Sequence, residues 1–121
     1  MIDHPRADEL VEAVAKWIEG VRPSLTGRDA FLARVAVNAL GVVQRELVQG
    51  PAAHWNAVDR YAALLGHEAD LATLTHELCE LIRSGQMDVS TPGLLAALKA
   101  NITEQIAIDQ PNYAPEGRRA G

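Results

Sequence analysis

The stretch RVAVNALGVVQREL, residues 34–47, decides how the chain is read. Its apolar residues recur with helical spacing, and extending the window makes the pattern stronger. From Ala30 to Val48, thirteen of nineteen residues are apolar, so the apolar arc on a helical wheel is far wider than one stripe. A helix apolar nearly all round is a central one that packs on several sides. The stretch therefore predicts a long second helix, from about residue 27 to 49, with Thr26 as its cap and Gly50-Pro51 as its stop. Other helices are expected to wrap around it.

Four such helices are expected. The first covers about residues 5–21. Asp3 or His4 can cap it, Pro5 suits its first turn, and Leu10, Val14, Trp17, Ile18 and Val21 follow the spacing of one buried face. The third runs over about 53–65, with Trp55, Val58, Ala62 and Leu65 on one side and Gly66 as its stop. The fourth covers about 68–84, with Leu71, Leu74, Leu78, Leu81 and Ile82 on one side. The fifth takes Thr91 as cap and Pro92 in its first turn, ends near Asp109, and places Leu95, Leu98, Ile102 and Ile106 inside. No strand alternation and no fixed-period repeat occurs. The reading is an all-α, single-domain bundle of about five helices over residues 3–113, followed by a flexible C-terminal tail, 114–121.

Composition narrows the function classes. The chain has 121 residues, 48% of them hydrophobic and 22% charged, which fits one folded domain with a core of its own. A net charge of −5, with only Lys16 and Lys99 as lysines, argues against a nucleic-acid backbone as partner. Five aromatics are too few for a base-stacking platform. No run approaches the roughly 18 apolar residues of a membrane span, and the charged N-terminus lacks a signal core. Cys79 is the only cysteine, so no intramolecular disulfide forms and no multi-cysteine metal site exists. The expectation is a soluble cytoplasmic protein without cofactor.

Catalytic motifs do not stand out. His76-Glu77-Leu78-Cys79-Glu80 resembles a zinc-protease helix, but Glu80 occupies the place of the second histidine. That stretch reads as a solvated face, and Cys79 as a small apolar residue beside the stripe. No nucleophile elbow and no phosphate loop is present.

The polar residues in and before the second helix are the informative ones. Arg34, Asn38 and Arg45 fall within about 40° of one another on the wheel, at the border of the apolar arc. Glu46 projects from inside it. A carboxylate there needs a partner. Three settings supply one: another helix of the same chain, a docked protein or second copy, or a ligand site. Arg22 and Arg28 add positive charge near the helix start and are candidates for holding an anion.

The blocks DHPRADELVEAVAKWI (3–18), SLTGRDAFLARVAVNALGVVQRELVQGP (24–51) and IDQPNY (108–113) resemble a family of small bacterial proteins, the DUF6285 family, across residues 3–113. That resemblance implies an accessory subunit for a larger kinase of the aminoglycoside-phosphotransferase type, acting on a hydroxyacyl-CoA in acid catabolism. It carries over no catalytic residue. Two expectations follow. A non-catalytic interaction subunit, binding a kinase-like protein or itself, should expose an apolar patch of more than a few hundred Å² rimmed by the arginines. A ligand-binding protein or small enzyme should instead converge Glu46 and an arginine on a pocket between helices, for an anionic, CoA-like ligand.

Overall fold

A computed structural model describes residues 6–113. The expected caps Asp3 and His4, Pro5, and the tail 114–121 lie outside the described residues. The fold is all-α, with no strand among the described residues. The helices are α1 (Ala7–Val21), α2 (Gly27–Leu65), α3 (Leu71–Arg83) and α4 (Leu94–Asp109), with one turn of 3₁₀ helix, Arg22–Ser24, before α2.

There are four helices where five are expected, because α2 runs straight through Gly50-Pro51. A glycine stop works through the left-handed region, and Gly50 does not adopt it. A new helix needs a cap, and Leu47-Val48-Gln49-Gly50 offers no Ser, Thr, Asp or Asn. Ala52 and Ala53, the best helix formers, follow at once. Losing one backbone donor at Pro51 does not outweigh this continuity. The true stop is Gly66, whose φ of +82° lets its N–H turn back to the Ala62 carbonyl at 2.8 Å.

The chain divides into two compact units. One comprises residues up to 50 with 108–110, the other residues 51–107 and those from 111 on. In the first, Val11, Ala15 and Ile18 of α1 are half-buried, and α1 and α2 together line a groove at Leu40, Gly41 and Gln44. The α2 positions on this side are mostly small (Ala30, Ala33, Val37, Leu40, Gly41), and Ala33 is buried.

In the second unit the core is Leu74 and Leu78 of α3 with Leu94 and Ala97 of α4. Helix α3 starts three residues later than expected. Asp70 caps it, accepting from the Thr73 N–H at 2.8 Å, and Glu68 stays in the preceding turn. Helix α4 also starts late. Thr91 does not cap it; its hydroxyl accepts from the Asp88 N–H at 2.9 Å, tying off the turn. The helix begins only after Gly93, where φ is +85° and an added Cβ would touch Leu64 at 3.4 Å.

The inner stripe of α4 differs too. Leu95 and Ile102 are exposed, while Leu94, Ala97 and Ile108 are buried and Asn101 and Glu104 are half-buried. Positions 94, 97, 101, 104 and 108 form an unbroken helical stripe. Two of its members are polar, which is why apolar spacing alone selects the neighbouring one.

Candidate interaction surface

In the first unit α1 has two apolar stripes. One, Val11-Ala15-Ile18, is half-buried. The other, Leu10-Val14-Trp17, expected on the buried face, is open instead, and Trp17 is 67% exposed. Helix α2 repeats the pattern. Phe31 (64% exposed), Leu32, Val35 and Val43 are open on a side remote from the α1-facing positions. Single exposed apolar residues are ordinary; rows of them at helical spacing on two helices are not.

The polar residues named from the sequence divide. Arg45 is half-buried. Its Nε donates to the Ile108 carbonyl at 2.6 Å, satisfying one of the last acceptors of α4. Its guanidinium lies over Gly41, where a Cβ would meet Nη1 at 3.2 Å, so the glycine leaves the arginine room to fold back. Arg22 pairs with Glu19 at 2.6 Å. Arg28, Arg34, Asn38 and Glu46 are exposed, and no hydrogen bond or ion pair to a described residue holds any of them. The Glu46 side chain curls over Gly50, which has no Cβ to obstruct it. Arg34, Asn38, Arg45 and Glu46 thus do not bond to one another.

The groove between α1 and α2 has a volume of about 270 Å³ and is rimmed by Glu12, Lys16 and Glu19. Neither Glu46 nor an arginine lines it. A second cavity, about 460 Å³, lies in the other unit beside Trp55, Asp59, His67 and Glu68.

The second unit carries a polar cluster that sequence reasoning missed. Arg60 of α2 donates to Asn101 Oδ1 at 2.7 Å and reaches both carboxylate oxygens of Glu104, at 3.1 and 2.8 Å. Asn56 adds a bond to Glu104 at 3.2 Å. This two-pronged grip holds the Glu104 carboxyl below the usual carboxylate range. The available signal was the coincidence of stripes. Positions 53, 57, 60 and 64 of α2 carry one basic residue, and 94, 97, 101 and 104 of α4 carry its acceptors.

His67 Nε2 sits 2.7 Å from Glu77 Oε1, and that bond, with a weaker one to the Glu68 carbonyl, raises the imidazole above its ordinary value. Glu77 is thus tied to His67, and Glu80 pairs with Arg83 at 2.8 Å. Cys79, expected beside the apolar stripe, is exposed. No cluster of three or more His, Cys, Asp or Glu among the described residues is placed to hold a metal ion. No helix of the described residues is long and apolar enough to cross a membrane.

The model of a domain of unknown function, DUF6285, matches residues 23–113, which span α2, α3 and α4. Comparison with curated proteins and with solved structures gives no match.

Proposed function

Since the chain belongs to the DUF6285 family, we propose that it is a non-catalytic accessory subunit, working in the cytoplasm beside a larger kinase of the aminoglycoside-phosphotransferase type. The phosphoryl transfer, to a hydroxyacyl-CoA in acid catabolism, belongs to that partner. The observation that carries the reading is the open stripe Leu10-Val14-Trp17 on α1, with Trp17 67% exposed. Tryptophan in an exposed apolar row is the residue type that anchors protein interfaces. Arg6 lies beside the row on the helical wheel. The second expectation, a ligand pocket, needs Glu46 and an arginine in one concavity; Glu46 curls over Gly50 and Arg45 bonds to Ile108.

Co-expression tests the proposal. The tagged chain is purified with the kinase-like protein, the mass of the complex is measured by light scattering, and turnover on hydroxyacyl-CoA is compared with and without the chain. A stable complex, lost in Trp17→Ser, together with turnover that depends on the chain, is the expected result. No complex and unchanged turnover overturn it.

A further inference from the structure

The open side of α2 carries an order that a generic sticky patch lacks. Arg28, Leu32, Val35, Ala39, Val42 and Glu46 follow spacings of four, three, four, three and four residues. That alternation is the seam of a helix that pairs with another helix. The seam lies roughly 170° around α2 from the positions that face α1, at 100° per residue. Helix α1 therefore cannot cover it. Leu32 and Val35 are exposed, as are Arg28, Ala39 and Glu46, and Val42 is half-buried.

The two ends of the seam are opposite charges. Arg28 and Glu46 are eighteen residues apart, about five full turns, so they project in the same direction. Neither has a described residue as partner. Between them every seam position is apolar, with the smallest, Ala39, near the middle. A helix of this pattern complements itself when two copies run antiparallel. Arg28 of one then meets Glu46 of the other, twice, while Leu32 meets Val42 and Val35 meets Ala39. A parallel arrangement would set like charges together. Asn38, on the flank of the seam, falls beside Asn38 of the second copy, where each amide can donate to and accept from the other.

We propose that the α2 seam, Arg28 to Glu46, is the contact by which two copies of this chain form an antiparallel, two-fold symmetric dimer. A stable association of this kind has to cover about 1,000 Å² or more, and the exposed Phe31 and Val43 extend the apolar surface on either flank of the seam. Sequence-adjacent but outward-facing, the α1 stripe stays open for a different protein. The dimer rests on the reading of the chain as an interaction protein and not on the identity of the kinase-like partner.

The test is light scattering on the full chain alone over a range of concentrations, with circular dichroism as the check of folding. The wild-type chain approaches twice 13.0 kDa as concentration rises. Arg28→Glu and Glu46→Arg each weaken dimerisation about tenfold or more, since each places two like-charge contacts in the pair. The double variant R28E/E46R restores it to within about threefold, because every contact is again complementary. All three changes fall on exposed helical positions and leave the helical signal intact. A chain that stays monomeric at every concentration overturns the proposal, as does a double variant no better than either single. A monomeric chain that still binds the kinase-like protein, and loses it in E46R, assigns the seam to that protein instead. Loss of the kinase complex with an intact dimer overturns only the accessory-subunit reading.

Discussion

The two units use similar residues to opposite ends. The second buries Leu74, Leu78, Leu94 and Ala97, and matches its one inward arginine with Glu104 and Asn101. The first has as many large apolar residues and buries of them almost nothing; among the described residues Ala33 is its only buried side chain besides Ile108. The difference is in helix number. The second unit has three helical segments, so each apolar stripe finds another. The first has α1, half of α2 and a few residues after position 107, and each of its two helices keeps a stripe to spare. Hydrophobic content alone does not report whether a unit is complete; the number of faces against the number of helices does.

The sharpest way to break that comparison is one truncation in each unit. Leu74→Ala removes a side chain with no exposure, and should destabilise by about 2–5 kcal/mol in urea or thermal unfolding. Val14→Ala, in the open stripe of α1, should change stability of the isolated chain by less than about 0.5 kcal/mol. A loss at Val14 comparable with that at Leu74 would mean that the first unit is closed after all.

Pro51→Ala tests whether the units share one helix. Within a continuous α2, alanine restores a backbone donor and removes a ring clash, and stability should rise by up to about 3 kcal/mol. Were residue 51 the first of a separate helix, alanine would bring no gain, so an unchanged melting temperature would restore the five-helix reading.

Smaller effects sharpen the picture of the second unit. Glu104→Ala leaves Arg60 without its carboxylate and should cost about 1 kcal/mol, a hydrogen bond to a charged group discounted for partial exposure. Because Arg60 lowers the Glu104 value, the pair's stabilisation is present above the ordinary glutamate range and fades as pH falls through the lowered one. The His67 contribution has the opposite sign. Its value is raised, so its stabilisation is complete below the ordinary histidine value of about 6.5 and disappears as pH rises through the folded-state value. An NMR titration of His67 should show a midpoint above the ordinary histidine value of about 6.5, and Glu77→Gln should bring it back down.

The helical class, the α3 face and the stop at Gly66 were legible because they follow from spacing and from glycine's access to positive φ. The stop at Gly50-Pro51 misled for the same reason: the dipeptide suits a break, but breaking also needs a cap, and none is there. The α4 stripe was misplaced by one position because Asn101 and Glu104 count against a core face until Arg60 is seen opposite them. Glu46 illustrates the remaining limit. Its place inside an apolar arc suggested a buried carboxylate in need of a partner, but that side of α2 is open and Glu46 is exposed. Arg45 was readable as unusual, but its acceptor is a backbone carbonyl, which has no letter in the sequence.

That carbonyl belongs to Ile108, sixty-three residues downstream, and it is part of the unit to which α1 belongs. The consequence concerns synthesis. Chains generally fold from the N-terminus as they leave the ribosome, but here the earliest residues to emerge are among the last to be finished. The Arg45 side of α2 must wait, unmatched, for the end of α4, while the three-segment unit closes from residues made in between. The period of greatest exposure to chaperones therefore falls on the part of the molecule whose apolar rows stay open in the finished chain.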